Sequence, residues 1–400
     1  MIDTFSCFIT TLAWFIPYLS PALSSIQYFH RRFIMASVAT PFDSVPEAPP
    51  DVIFGVLTKF RADESADKIN LSVGAYRTSE GKPYVLKAVR EAEKKLVNDD
   101  SLNKEYLPID GLPSFLKVST ELLYGADSPA VKEKRLAIAQ SISGTGALRV
   151  GAEMIANFFP KGTTVYVSDP TWGNHFKIFA NAGVKTAKYR YFDDKTKGLA
   201  WKELQEDLEK APSGSVVLLH AVAHNPTGVD LTPAQWGELD ALLVRKNLFP
   251  FFDCAYQGFA SGNPERDIAA VRLFVERGRQ LMLAQSYAKN MGLYSERVGT
   301  ISAVCGSQKA AEAVQSQLKA IIRAMYSNPP RNGAYIVSTV LSDPALKKQW
   351  DEEVEMMANR IRDMRLALFK ELERLKTPGS WQHILDQIGM FSYTGLSGFC

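Results

Sequence analysis

Leu248-Phe249-Pro250-Phe251-Phe252-Asp253-Cys254-Ala255-Tyr256 is apolar for five residues and then turns polar. A short aromatic and aliphatic run of this kind suits a strand covered on both faces, the type from which parallel sheets are built. The acid that closes it falls where open α/β sheets bind ligands, in the crevice beyond the carboxyl ends of the strands. Working outward, comparable runs occur at Leu136–Gln140, Thr164–Val167, Val216–Leu219 and Gln280–Ala284, with Arg297–Val304 as a further candidate. Polar residues follow each of the first four. They are Ser143-Gly144-Thr145-Gly146, Asp169-Pro170-Thr171-Trp172, His224-Asn225-Pro226-Thr227-Gly228 and Ser286-Tyr287-Ala288-Lys289. Amphipathic segments alternate with the runs after about residue 80, so the expectation is an α/β domain with a largely parallel sheet and its chemistry on one rim.

The composition narrows the classes of function. The chain has 400 residues, 46% hydrophobic and 22% charged, with a formal net charge of +3 and no long basic run. Nothing electrostatic calls for nucleic acid or an acidic membrane surface, which leaves small molecules and a second copy of the chain as partners. Cys7, Cys254, Cys305 and Cys400 are too scattered for a C-x-x-C metal site or a disulfide framework, which fits a reducing compartment. Thr4 to Phe29 carries no formal charge and is long enough to span a bilayer, but Pro17 and Pro21 interrupt it and no basic residue precedes it. We read residues 1–34 as an upstream extension before an ordinary start at Met35-Ala36-Ser37, giving a cytoplasmic protein. A mitochondrial presequence is the alternative. Pro41, Pro46, Pro49 and Pro50 make 36–50 an extended arm. An amphipathic helix from Asp351 to Leu375, with Met356, Met357, Ile361, Met364, Leu366 and Leu368 on its apolar side, leads toward a smaller domain, and Thr377 to Leu396 begins a strand-like unit.

Three groups of residues carry the chemistry. Ser143-Gly144-Thr145-Gly146-Ala147-Leu148-Arg149 is a glycine-rich turn whose free N–H groups suit a phosphate at a helix N-terminus, or equally a turn with no ligand. The dinucleotide fingerprint needs a third small residue where Arg149 stands, so a monophosphate fits better than a pyrophosphate. Asp253, at the end of an apolar run, needs a cationic partner if it is buried. That partner can be the protonated pyridine nitrogen of pyridoxal phosphate, and the plainer reading is a strand-end acid capping a turn. Lys289 follows another apolar run, where desolvation would lower its pKa and make it a nucleophile toward an aldehyde. Ser286-x-x-Lys289 also begins an S-x-x-K acyl-transfer site, but neither S-D-N nor K-T-G completes it.

Together these stretches resemble aspartate aminotransferase, of the class I, fold-type I pyridoxal-phosphate enzymes. The resemblance runs in order from about residue 41 to Leu396. It is carried by Leu71-Ser72-Val73-Gly74-Ala75-Tyr76-Arg77, Glu105-Tyr106-Leu107-Pro108-Ile109, Ser143 to Arg149, Pro170-Thr171-Trp172-Gly173-Asn174-His175, His224 to Gly228, Phe251 to Phe259, Gln285 to Asn290, Glu296-Arg297-Val298-Gly299 and Tyr326-Ser327-Asn328-Pro329-Pro330. It implies a large cofactor domain over 80–356, and a small α+β domain over 51–79 and 357–400 that is incomplete. It also implies a homodimer with shared active sites.

By the same resemblance Lys289 binds pyridoxal phosphate as a Schiff base and moves the substrate proton as base and acid in turn. Asp253 pairs with the pyridine nitrogen, with His175 behind it. Tyr256 and Asn225 hold the phenolic oxygen and Trp172 covers the ring. Gly144, Thr145, Ser286 and Arg297 hold the phosphate, and Tyr106 reaches in from a second copy. Gly74, Trp172 and Asn225 also face the substrate, and Arg323 crosses the dimer to grip its distal carboxylate. Tyr326 stands where animal relatives typically carry tryptophan. No metal is expected. The implied reaction converts L-aspartate and 2-oxoglutarate to oxaloacetate and L-glutamate, with an aromatic-preferring aminotransferase or an inactive truncated product as alternatives. Family members continue for several dozen residues beyond Ser397-Gly398-Phe399-Cys400 and there supply the arginine for the substrate α-carboxylate. Without that part, Ile384, Ile388, Met390 and Phe391 are expected to lie uncovered.

Overall fold

The computed structural model describes residues 40–71 and 74–394. Of these, residues up to Lys59 belong to one compact unit and those from Phe60 to another. In the first, Pro41–Ser44 is a turn of 3-10 helix, where an extended arm is expected over 36–50, and the helix Val52–Ala62 begins. Residues 40–50 are otherwise without regular structure and exposed. The apolar stretch from Thr4 to Phe29 lies outside the described residues.

Among the described residues the second unit has nine strands, β1 (Leu136–Ile142), β2 (Thr164–Asp169), β3 (Lys185–Arg190), β4 (Phe192–Asp193), β5 (Gly198–Leu199), β6 (Val216–His220), β7 (Phe249–Cys254), β8 (Leu281–Ser286) and β9 (Val298–Val304). Seven of them make one sheet in the order β1-β9-β8-β7-β6-β2-β3, and β4 and β5 form a small hairpin. Pairing is parallel from β8 to β3, while β9 runs antiparallel to both neighbours. The six expected strands are all present, but several extend further than the apolar runs suggest, so that Asp253 and Ser286 lie inside β7 and β8. The missing strand was β3, Lys-Thr-Ala-Lys-Tyr-Arg, a sheet edge whose charged side chains hide it from a search for apolar runs.

Successive residues of β7 face opposite sides, as pleating requires. Phe252 packs with Trp236, Phe274, Leu219 and Leu283, while Phe251 packs with Leu148, Ile155, Phe179 and Leu218. Both phenylalanines are fully buried, each contributing roughly 1.5–3 kcal/mol of hydrophobic stabilisation. Between β6 and β7 the helix Pro233–Lys246 starts with a Thr232/Gln235 capping box and Pro233 in its first turn, and it stops at Asn247 in a left-handed conformation. The loop before it, 221–230, is therefore pinned at both ends.

The long helix is Pro344–Arg374, beginning seven residues ahead of the expected Asp351 because Asp343 caps it and Pro344 opens it. Its buried stripe is Trp350, Val354, Met357, Ala358 and Arg365, whereas Met356, Met364, Leu366 and Leu368 are exposed. Only Met357 and the partly buried Ile361 keep the inward role expected for the six apolar residues of this stretch. Beyond it the expected strand-like unit is absent among the described residues, and a short helix, His383–Asp386, takes its place. Ile384 is fully buried, and Met390 and Phe391 pack partly buried against a core containing Tyr256, Tyr287, Trp350 and Met357. The expectation that Ile384, Ile388, Met390 and Phe391 lie uncovered is thus corrected. The Arg365 guanidinium donates to the carbonyls of Ile384 (3.1 Å), Gly389 (2.9 Å) and Phe391, drawing this segment onto the long helix.

Candidate functional site

The rim formed by the carboxyl ends of β1, β6, β7 and β8 collects most of the residues named from sequence. Asp253, in β7, is 6% exposed, and its Oδ2 lies 3.1 Å from His175 Nε2. Behind it runs a chain of hydrogen bonds whose directions are set from the far end. The Asn225 backbone N–H donates to His220 Nδ1 at 3.3 Å, which leaves the proton of His220 on Nε2. His220 Nε2 then donates to Thr171 Oγ1 at 3.3 Å, Thr171 donates to His175 Nδ1 at 2.8 Å, and His175 Nε2 donates to Asp253. Burial alone would raise the Asp253 carboxyl. The hydrogen bond from His175, with electrostatic help from the surrounding His175, His220 and Lys289 side chains, outweighs it and holds the group below the usual carboxylate value. Burial, helped by His175, pushes His220 down to about 3, so it is neutral.

Lys289 follows β8 by three residues and is half-buried, its Nζ 4.8 Å from the centroid of the Tyr256 ring. Its ammonium is held below the ordinary lysine value by burial first, with Arg297 adding to the effect and Asp253 opposing it. A lysine so placed reaches its neutral, nucleophilic form more readily than one in water. The Tyr256 hydroxyl is pushed up by burial and by Asp253, while a hydrogen bond with the Asn225 side chain works the other way. Trp172 stands edge-on to His175 with ring centroids 5.3 Å apart. A Cβ on Gly74 would lie 2.7 Å from Phe391 Cζ and 3.6 Å from Tyr256 Oη, so the backbone at Gly74 approaches this cluster closely.

The phosphate half of the site is also assembled. The helix Ser143–Phe158 leaves directly from β1, and its N-cap residue Ile142 offers no side-chain acceptor to its first N–H groups. Ser143 takes φ +58° and its hydroxyl lies 2.9 Å from that of Ser286. A Cβ on Gly144 would come within 3.2 Å of the Ser286 Cβ, so a glycine keeps the approach open. Because β9 is antiparallel, its first end lies at the rim where the parallel strands finish, and Arg297 just ahead of it arrives beside Lys289. Arg297 gives one N–H to the Tyr294 carbonyl at 2.9 Å, and burial lowers its pKa. Two neighbouring cations, an uncapped helix N-terminus and serine hydroxyls make a setting for a dianion. With a buried carboxylate and a desolvated lysine alongside, the residues present fit pyridoxal phosphate.

Two expected residues are not brought to this cluster. Tyr106 is 81% exposed. Arg323 is exposed on the last turn of the helix Gln308–Tyr326, where it donates to Ser327 Oγ. Sequence reasoning assigned no role to His220, Thr171, His224 or Asp230. The available signal for His220 was a histidine ending a fully apolar run, Val-Val-Leu-Leu-His. His224 stacks on Tyr191, ring centroids 4.0 Å apart, and bonds Ser168 and Thr227. Among the described residues no cluster of His, Cys, Asp or Glu could hold a metal ion, and no helix is long and apolar enough to cross a membrane.

A model of aminotransferase classes I and II matches residues 66–399. The chain is also 54% identical over 363 residues to a cytoplasmic aspartate aminotransferase of Oryza sativa subsp. japonica, covering 91% of this chain and 89% of that one. The chain belongs to the aspartate aminotransferase family. Another relative, chloroplastic aspartate aminotransferase 3 of Arabidopsis thaliana, is 53% identical over 356 residues, 89% of this chain and 79% of that one. Among solved structures, the aspartate aminotransferase of Saccharomyces cerevisiae cytoplasm superposes with TM-score 0.87 at 45% identity, covering 90% and 88% of the two chains. An aromatic-amino-acid aminotransferase of Burkholderia pseudomallei, covalently bound to pyridoxal phosphate, superposes with TM-score 0.87 at 42% identity, covering 90% and 89%. The enzyme is thus a pyridoxal-phosphate-dependent aminotransferase of fold-type I, acting on amino and keto acids. Relatives of this family occur in cytoplasmic, mitochondrial and chloroplastic forms.

Proposed function

We propose that the enzyme moves the amino group of L-aspartate to 2-oxoglutarate, yielding oxaloacetate and L-glutamate. The observation that carries the chemistry is the desolvated Lys289 amine on a floor that also holds an ionised, buried Asp253. Pyridoxal phosphate, when bound, supplies an aldehyde for amines and a ring that accepts electrons. Asp253, fixed by His175, would hold a proton on the pyridine nitrogen. Lys289, its ammonium held below the ordinary lysine value, would take the α-proton of the substrate and return it to the carbon that carried the cofactor's aldehyde, acting as base and then acid. Tyr256 and Asn225 would meet the phenolic oxygen, Trp172 would cover the ring, and Gly144, Thr145, Ser286 and Arg297 would meet the phosphate.

Tyr106 and Arg323 lie exposed, away from this floor, which supports a homodimer in which each serves the site of a second copy. There a guanidinium would pair bidentately with the distal carboxylate of aspartate or glutamate. Aspartate as substrate is supported by relatives of that name at 49% to 54% identity. An aromatic preference is the second reading, since aromatic aminotransferases stand among the solved neighbours at 41% to 42% identity. Turnover of aspartate against phenylalanine and tyrosine, each with 2-oxoglutarate, tests the choice, and a preference for the aromatic amino acids would reverse it. Cytoplasmic placement is supported by cytoplasmic relatives from rice and Dictyostelium discoideum, and cell fractionation tests it against the organellar alternatives.

A further inference from the structure

Asn225 sits on a loop whose shape depends on an acid five residues later. Asp230 Oδ2 accepts the N–H of Ala223 at 2.6 Å, and Oδ1 accepts the N–H of His224 at 2.8 Å, so both oxygens are used on the two residues before Asn225. Ala223 has φ +51°, a left-handed conformation that an L side chain adopts only when held there. The loop is closed further by Gly228 N–H to His224 O at 2.8 Å and by Tyr191 Oη–H to Val229 O at 2.7 Å. Those bonds fix its far side. At the turn where the chain leaves β6, the Asp230 carboxylate holds Ala223 and His224 while His220 Nδ1 accepts the Asn225 N–H at 3.3 Å, and together they bring the Asn225 side chain to Tyr256.

The setting of Asp230 differs from that of Asp253. Asp230 borders a cavity of about 760 Å³ that is also lined by Trp236, Glu265, Arg266, Asp267, Arg272 and Ile388. Burial, with a contribution from Asp267, pushes the Asp230 carboxyl up to about 6, and the two backbone amides oppose this. At neutral pH it is therefore an anion whose hydrogen bonds run to backbone amides.

We propose that Asp230 is a positioning residue for transamination, clamping Ala223 and His224 so that the Asn225 amide is held against Tyr256 and the phenolic oxygen of the cofactor. This rests on the functional reading above. Asp230→Asn replaces one acceptor with an NH₂ group facing a backbone N–H, which opens the clamp while keeping shape and volume. Loosening a donor to the phenolic oxygen makes that oxygen hold its proton more tightly. The visible band of the Lys289-bound cofactor should then titrate at higher pH in the variant.

The test is a double-mutant cycle of D230N and N225A in the cofactor-loaded enzyme, read by kcat, KM for aspartate and the pH midpoint of the visible band. D230N should lower kcat roughly tenfold, the scale set by a small misplacement of a group near the chemistry, and raise the midpoint. Both effects should vanish when Asn225 is already alanine, because Asp230 acts through it. Effects that persist undiminished in the N225A background make Asp230 a general stabiliser and overturn the inference, as does a D230N enzyme indistinguishable from wild type. If D230N is insoluble, hydrogen exchange on the wild-type enzyme decides. Ala223 and His224 amides that exchange only through global unfolding support the clamp, and faster local exchange overturns it. A wild-type enzyme that binds no pyridoxal phosphate or transfers no amino group removes the functional reading itself, an outcome separate from any result with Asp230.

Discussion

Asp253 lies near the end of β7 and Lys289 three residues past the end of β8, while Arg323 lies on a helix surface facing water. The first pair owe their chemical state to neighbours in the same chain, His175 and His220 for the acid and the surrounding burial for the amine. Arg323 donates to Ser327 at the end of its own helix and is exposed, which is the setting the proposed grip on a substrate carboxylate requires. The difference separates two tasks. On the proposed reading, most of the reactive site is made inside a single chain, whereas selecting a dicarboxylic substrate would fall to a surface residue serving a second copy.

Substitutions on the floor should therefore damage turnover whatever the substrate, and those at the surface should change preference. On the proposed roles, Lys289→Ala would remove the cofactor's anchor and the proton carrier together, and turnover should fall roughly 10,000-fold or more. A borohydride-reducible adduct still forming at the active site of that variant would show that the anchor lies elsewhere. Asp253→Asn keeps the shape but not the charge that favours a protonated pyridine. A loss of about 100- to 1,000-fold in kcat is expected with cofactor still bound, and an unchanged rate would reduce Asp253 to a turn residue. Arg323→Asp should lower kcat/KM for aspartate roughly 100-fold and raise it for lysine or arginine. Unaltered selectivity in a substrate panel would take Arg323 out of the site.

The smallest expected effect concerns acid stability. The His220 pKa is depressed to about 3 in the folded chain, against an ordinary value of about 6.5. The unfolded chain therefore binds this proton first, so the stabilisation is complete above about 6.5 and is lost progressively as the pH falls toward 3. His220→Asn should flatten the acid limb of a plot of Tm against pH while leaving the neutral region little changed. An acid limb as steep as that of wild type would place the sensitivity on other groups.

The sheet could be read from sequence wherever its strands were buried on both faces, because apolar runs such as Phe249 to Phe252 have few other uses. It failed at β3, where Lys185, Lys188 and Arg190 decorate an edge. The long helix misled for a related reason. Many of its residues are apolar, but only a period-consistent stripe through Trp350, Val354, Met357 and Arg365 faces inward, and a buried arginine is the last residue a hydrophobic pattern would choose. Lys289, Asp253 and the turn at Gly144 were legible because each follows or closes an apolar run, whereas Tyr256 was named only through the family resemblance. His220 also closes an apolar run, but its role and that of Asp230 were missed because both arise from bonds to the backbone around Asn225, of which the sequence carries no trace.

The backbone N–H of Ile388 donates to the carbonyl of Gly228 at 2.7 Å, and a Cβ on Gly228 would lie 2.6 Å from the carbonyl oxygen of Phe391. A loop in the middle of the chain is thus seated against residues made much later. During synthesis, β6, β7 and β8 can emerge and pair while the segment 388–391 is still in the ribosome, so the loop bearing Asn225 has no partner for Gly228 at that stage. Closing so long a loop is entropically slow compared with pairing neighbouring strands. The nascent enzyme should therefore acquire its sheet first and a fully seated Asn225 only once residues 388–391 have been released to dock.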